Sequence, residues 1–226
     1  MRSNNLLVGI EYVFFDADDT LWHDAKYYNA LRKILLDIGE KYNIDESSIK
    51  QLIEDNRTEL GELGYFEAIT KTAMILGFTN GELNELYMYK DKLLSHPIEL
   101  MPNIEMVLER LSKFSCILVT KGNRKIQQSK IDRSGLNRYF DKIYIVDVKN
   151  QDTWERITSS ICDDYSKCLA IGNSYIDDIA PTISLGFKAI WYGSNHGHIR
   201  CLSESVIQVP SWSHFIMYLQ HEEQEQ

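Results

Sequence analysis

At 226 residues the chain is long enough for one large domain, or for one domain carrying a small insertion. Its composition is ordinary for a globular protein, with 44% apolar and 25% charged residues; the formal net charge of −9 argues against nucleic-acid or anionic-membrane partners but leaves a small anion free to respond to a local positive field. The four cysteines (Cys116, Cys162, Cys168, Cys201) lack metal-site spacing and read as reduced packing residues, the N-terminal apolar stretch is too short for a signal peptide, and no window reaches transmembrane length, so a cytoplasmic location is expected.

Residues 10–15 (Ile-Glu-Tyr-Val-Phe-Phe) predict a buried strand, and it runs directly into Asp16-Ala17-Asp18-Asp19-Thr20. Three acids within four residues repel one another, and desolvation penalises their charges further. A hard cation with oxygen ligands is the simplest counterpart. No strand signal follows until after Pro102. Instead Leu31, Ile34, Leu35 and Ile38 mark one helix face, and Ile49, Leu52, Ile53 and Leu60 a second. Phe66, Ile69 and Ala73 mark a third, and Leu83, Leu86, Tyr87 and Leu94 a fourth, with Thr79 and Glu82 spaced as a capping box. Pro97 and Pro102 punctuate the return. Residues 22–97 therefore predict an inserted all-helical cap between the parts of a core at 1–21 and 98–226. Placed directly after the acidic strand, it stands where a lid belongs.

From there strands and helices alternate. A helix at 103–113 precedes a strand at 116–119, and a helix at 124–134 precedes a strand at 143–146. A helix at 151–162 leads to a strand at 168–171, and a helix at 175–185, interrupted by Pro181, to a strand at 187–191. Residues 205–209 predict an edge strand and 212–220 a closing helix. Such alternation implies parallel βαβ units, hence an α/β fold with a Rossmann-like parallel sheet and helices on both faces. No glycine-rich phosphate loop is present. In a parallel sheet the strand tips share one edge, where open α/β sheets bind ligands. Here that edge collects Asp16 to Thr20, Thr120-Lys121-Gly122-Asn123, Asp147 to Asn150, and Gly172-Asn173-Ser174-Tyr175-Ile176-Asp177-Asp178. A carboxylate can attack phosphorus, a second acid can protonate the leaving oxygen and then activate water, and a magnesium ion lets two anions meet. Hydroxyl, ammonium and backbone N–H groups stabilise the equatorial oxygens of a transferring phosphoryl group.

Residues 15–22 resemble the first motif of the haloacid dehalogenase superfamily, D-x-D-x-T. Thr120 resembles the second, Lys149 the third and residues 172–178 the acidic fourth, all in family order, and the insertion resembles a type-1 helical cap. The resemblance implies a magnesium-dependent phosphatase for a small phosphorylated metabolite. Asp16 would be nucleophile and metal ligand. Asp18 would be general acid/base and metal ligand through its main-chain carbonyl. Thr120 and Lys149 would be catalytic and bind the phosphoryl group, with Lys121 and Gly122 beside them. Asn173 and Asp178 would complete the metal site. An acid at position 18 points to a phosphatase-type member, since dehalogenase members generally lack one. Asn173 stands where an acid is commoner, so Asn173 and Asp178 both remain candidates for the inner-sphere ligand. Asp19 occupies a position often taken by glycine.

The alternatives are a phosphomutase or phosphotransferase on the same site and a weakly catalytic phospho-ligand binding module. A phospho-receiver fits less well, because its acid pair precedes the phosphorylated Asp on another strand. His196 and His198, in a loop without nearby acids or cysteines, make a poor zinc site. Asp163-Asp164 reads as a solvated turn. Tyr27, Tyr28, Tyr65, Tyr87 and Tyr89 read as helix packing, and Trp22, His23 and Asp24 as a hinge, pocket wall or plain packing.

Overall fold

β1 (Tyr12–Phe15) places three consecutive apolar side chains, Val13, Phe14 and Phe15, entirely out of solvent. A strand can bury consecutive residues only if both sheet faces are covered. In the computed structural model, which describes residues 6–59, 65–95, 97–193 and 197–224, β1 is an interior strand. It pairs in parallel with β2 (Ser115–Lys121) on one side and β4 (Cys168–Gly172) on the other. β3 (Lys142–Val146), β5 (Lys188–Tyr192), β6 (Arg200–Cys201) and β7 (Val206–Val209) complete a seven-stranded sheet of order β3-β2-β1-β4-β5-β7-β6. All its pairings are parallel except β6 with β7.

The period of two sorts the strand side chains between two cores. Val13 and Phe15 join Leu118, Ile171 and Ile190 on the face covered by α5 (Ile104–Leu111) and α9 (Trp212–Gln224), with Ile131 of α6 (Arg124–Ser134). Phe14, Ile117, Val119, Ala170 and Ala189 face the other way, against Trp154 and Ile157 of α7 (Gln151–Ser159) and Ile183 of α8 (Ala180–Ser184).

Between β1 and α5 run α1 (Ala25–Glu40), α2 (Glu46–Glu59), α3 (Tyr65–Ile75) and α4 (Asn80–Ser95). Leu31, Leu35, Ile38, Ile49, Ile53, Phe66, Ile69, Ala73 and Leu86 from these helices build a third cluster of their own. Thr79 and Glu82 form the reciprocal capping box of α4, Thr79 N donating to Glu82 Oε2 (2.9 Å) and Glu82 N to Thr79 Oγ1 (3.4 Å). Tyr87 sets its ring against Phe66, and Tyr89 packs on the cluster. The chain leaves and re-enters the sheet region through a narrow neck. His23 N donates to Glu99 O (2.9 Å), Met101 N donates to Leu21 O (2.8 Å), and Trp22 bridges Leu100 in antiparallel fashion. Residues Leu60, Asn195 and His196, and the side chains of Tyr27, Tyr28, Tyr65 and Leu94, lie outside what the structure describes.

Three details differ from the expectations. Residues 206–209 are not the edge: all four are buried, and the two-residue β6 pairs along their outer side. The expected helix at 175–185 is instead a π-helical turn (Tyr175–Ile179) followed by the short α8, with Pro181, which has no N–H to donate, at its start. Cys116 and Cys168 are buried strand residues, burial pushing the Cys116 thiol up to about 12, but Cys201 is exposed and has no packing role. Among the described residues no helix is long and apolar enough to cross a membrane.

Candidate active site

Asp16 extends β1 by one residue, its N–H donating to Ile171 O of β4 (2.8 Å). Its carboxylate is thereby aimed off the C-terminal edge of the sheet while staying 7% exposed. Oδ2 accepts from the Thr20 hydroxyl (2.9 Å), four residues on, and Oδ1 accepts from Lys149 Nζ. Lys149, in the loop between β3 and α7, also donates to Asp178 Oδ1 (2.7 Å), so one buried ammonium bridges the tips of β1 and β4. Asp178 is held from behind: Ser174 N donates to its Oδ2 (3.0 Å), and its own N–H donates to Ser174 O (2.9 Å).

Burial, and next the charge of Asp178, push the Asp16 carboxyl up to about 7 against the pull of Lys149. Burial alone would depress Lys149, but Asp16 and Asp178 together hold its ammonium above the usual lysine range. The tip of β1 therefore carries more buried negative charge than its lysine neutralises.

β2 ends beside it. The Thr120 hydroxyl is buried and has no hydrogen-bond partner. Buried hydroxyls are almost always satisfied, so an orphan at a strand tip marks a place where an acceptor is expected. Gly122 follows with φ of 136°, a conformation open to glycine, and Asn123 caps α6 by accepting from Lys125 N (3.0 Å) and Ile126 N (3.2 Å). Lys121 pairs with Asp177 (2.9 Å), the acid preceding Asp178. Asn173 is exposed, and its main-chain oxygen accepts from Trp191 Nε1 (3.0 Å).

The Asp18 carboxylate turns away from Asp16. Oδ1 accepts from Trp22 Nε1 (2.8 Å) and Lys130 Nζ (3.0 Å), and Oδ2 accepts from Gln127 Nε2 (2.7 Å) and Lys130 Nζ (3.1 Å). Burial would raise Asp18, but Lys130, then Gln127 and Trp22, hold it below the usual carboxylate range. Lys130 also pairs with Asp24 (2.6 Å), the residue that precedes α1; burial and then the charge of Asp18 push Asp24 up to about 7. Asp19 has a structural task. It adopts a left-handed φ of 56°, tolerable for Asp, and its Oδ1 accepts from Asp24 N (2.9 Å).

Sequence reasoning brought Asp16, Lys149 and Asp178 to the same edge, and the structure joins them through one ammonium. It missed Lys130, Gln127 and the partnership of Asp24. A signal did exist: Gln127 and Lys130 lie on the face of α6 that Ile126 and Ile131 bury, and a lysine on a core-facing stripe is unusual.

Among the described residues no three His, Cys, Asp or Glu side chains are grouped as a metal cluster. Asn173 supplies no acid, and the Asp18 carboxylate is engaged by α6. The donors left at the edge are the Asp16 and Asp178 carboxylates, the Asp18 main-chain carbonyl and the Asn173 amide. All are hard oxygens, and the raised Asp16 shows a negative charge that a divalent cation would offset, so the set fits magnesium. The arrangement offers a buried carboxylate held by lysine, an unused hydroxyl donor on the neighbouring strand and a second acid two residues away.

A family model for haloacid dehalogenase-like hydrolases matches residues 10–184. Pyrimidine 5′-nucleotidase YjjG of Escherichia coli is 23% identical over 82% of this chain and 87% of its own length. N-acylneuraminate-9-phosphatase of Mus musculus is 26% identical over 89% of this chain and 93% of its own. Among solved structures, a haloacid dehalogenase-like hydrolase from Xanthomonas campestris superposes with a TM-score of 0.78 at 24% identity, covering 96% of this chain and 99% of that one. A 2-haloacid dehalogenase from Pseudomonas syringae superposes with a TM-score of 0.63 at 21% identity, covering 94% and 99%.

Proposed function

The chain belongs to the haloacid dehalogenase-like hydrolases, and we propose that within them it is a magnesium-dependent phosphatase for a small phosphorylated metabolite. The observation that carries this reading is the buried, partnerless Thr120 hydroxyl at the edge that also holds the Lys149–Asp16 pair. A phosphoryl group supplies the acceptor Thr120 lacks and the anion Lys149 can bind. Both relatives described above are named for phosphate-ester hydrolysis. Dehalogenases share the fold, but release of a halide needs no proton, so an acid two residues from the nucleophile would have no leaving group to protonate.

In this mechanism Asp16 attacks phosphorus in line with the leaving oxygen, its carboxylate oriented by Thr20 and Lys149. Thr120 and Lys149, with the backbone N–H groups of Lys121 and Gly122, hold the equatorial oxygens. Asp18 protonates the leaving oxygen, then takes a proton from the water that cleaves phospho-Asp16. Magnesium, held by Asp16, the Asp18 carbonyl, Asp178 and Asn173, would supply charge neutralisation between nucleophile and phosphoryl group. Residues 22–97 act as the cap over a catalytic core of 1–21 and 98–226, and choose the leaving group.

The test is hydrolysis of p-nitrophenyl phosphate by Asp16→Asn. We expect a loss on the order of 10³-fold or more, as for removal of a covalent nucleophile; wild-type activity would remove Asp16 from the mechanism. A second reading, a phospho-ligand binding module, draws on the uncharged Asn173. It predicts phosphate and magnesium binding without turnover in the same assay.

A further inference from the structure

The Asp18 carboxylate receives four hydrogen bonds, two of them from Lys130 and one from Gln127 on α6, the fourth from Trp22. Lys130 is 3% exposed and shares its ammonium between Asp18 and Asp24. These two acids have different places in the chain. Asp18 lies on the loop that follows the nucleophile, while Asp24 stands at the start of the helical insertion, its N–H bonded to Asp19. Gln127 spends its Nε2 on Asp18 Oδ2 and on Lys121 O (2.7 Å each) and leaves its own Oε1 buried without a partner. An unsatisfied buried oxygen is costly, so this side chain is oriented toward Asp18 at the expense of its own satisfaction.

We propose that Lys130 is a positioning residue for the acid–base step: it parks the ionised Asp18 against α6, and Asp18, on leaving, takes a proton from solvent and delivers it to the leaving oxygen while Asp24 keeps the ammonium; the proton later drawn from the attacking water returns to solvent as Asp18 comes back to Lys130. This rests on the phosphatase reading and goes beyond it. Breaking a buried pair by removing one partner is costly, because the other charge stays behind uncompensated. If Lys130 had Asp18 as its single partner, each swing of Asp18 would strand a buried cation. With Asp24 in contact at 2.6 Å, the cation stays paired throughout. Without Lys130, two carboxylates six residues apart would face each other in a partly buried site, and Asp18 would lose its ion-pair partner. Asp24 also begins the insertion, so the start of α1 and the proton shuttle are held by the same ammonium.

The test compares two phosphate esters on wild type, Lys130→Met, Lys130→Arg and Asp24→Asn. p-Nitrophenolate leaves with little need of a proton, whereas an alkyl oxygen needs one, and general acid catalysis is worth about 10²–10⁴-fold. Lys130→Met should lower kcat/KM for an alkyl phosphate by about 10²-fold and for p-nitrophenyl phosphate by less than about 10-fold, with inhibition by inorganic phosphate unchanged. Lys130→Arg, which keeps the charge, should recover part of the alkyl-ester rate. Asp24→Asn, an isosteric change, should show the same leaving-group dependence, because Asp18 then cannot leave Lys130 cheaply; it decides the matter if Lys130→Met does not fold. Equal losses on both esters, weaker phosphate binding in step with the rate, or wild-type behaviour in either variant would overturn the assignment. If wild type hydrolyses neither ester, or Asp16→Asn remains active, the phosphatase reading fails and this one with it. Hydrolysis by wild type with leaving-group-independent losses overturns the Lys130 role alone.

Discussion

Asn173 follows Gly172 at the tip of β4, exposed, where the resemblance leads one to expect an acid. Its amide oxygen is a competent ligand for a hard cation but adds no charge, and affinity in such sites follows ligand charge count. Asn173→Asp should therefore tighten magnesium binding, by on the order of tenfold, as read by isothermal titration calorimetry without substrate. Unchanged affinity would take position 173 out of the ligand set. At this scale the sequence was most informative where chemistry is local. Asp16, Asp18 and Thr20 lie within five residues at one strand tip, so their shared edge follows from the chain itself, although the Asp18 carboxylate is turned to α6. Thr120, Lys149 and Asp178 became legible through the parallel alternation that sends every strand tip to one edge. Lys130 was not legible, because its partner Asp18 is 112 residues away and no local pattern encodes that meeting. Its only trace was a charge on the apolar stripe of a helix.

Elements were readable in proportion to their length and regularity. β1 to β5 and the helices between them follow from buried β-branched and aromatic runs alternating with 3.6-residue periods. β6 has two residues and hence no period to detect, and a π-helical turn has no composition of its own. That turn nevertheless matters to the site, since it brings Asp178 back against the strand it follows. A Cβ built on Gly172 would overlap the Asp178 carboxylate and stand 2.6 Å from its Cβ. Gly172 does not have a left-handed φ, so the requirement is for space alone. Gly172→Ala should therefore displace Asp178 from Lys149 while leaving the Lys149–Asp16 contact in place. The expected outcome is a loss of about 1–3 kcal/mol in urea unfolding, typical of overpacking, with weakened magnesium binding and activity down by about 10²-fold. A variant with wild-type stability and magnesium affinity would show that the turn can move away without consequence.

The molecule as a whole is divided by its apolar clusters. Leu31 to Leu86 supply a core of their own, and none of its members belongs to the two clusters that sandwich the sheet. Among the described residues the backbone hydrogen bonds that join the insertion to the sheet region lie at the neck, where His23 N and Glu99 O are 2.9 Å apart. Two segments already paired in antiparallel fashion can be closed by a two-residue hairpin turn, and closing so short a loop adds little entropy cost. Replacing residues 25–97 by Asn-Gly should therefore leave a core that unfolds cooperatively, because both sheet faces keep their helices. Asp24, Lys130 and Asp18 are all retained, so the ion pairs proposed as the resting place of Asp18 survive the excision. Lost are the surface that α4 lays against α6 and, on the proposed reading of the insertion as a cap, the walls that select a leaving group. The shortened chain should hydrolyse p-nitrophenyl phosphate and bind inorganic phosphate within a few-fold of the full chain. Its kcat/KM values across a panel of phosphorylated metabolites should converge, because discrimination requires contacts that differ between leaving groups. Far- and near-ultraviolet circular dichroism with a thermal melt checks the fold, and the panel checks selectivity. A core that aggregates or melts without cooperativity would show that the insertion is part of the same folding unit. A core that keeps the full chain's preferences would place selectivity at the sheet edge instead.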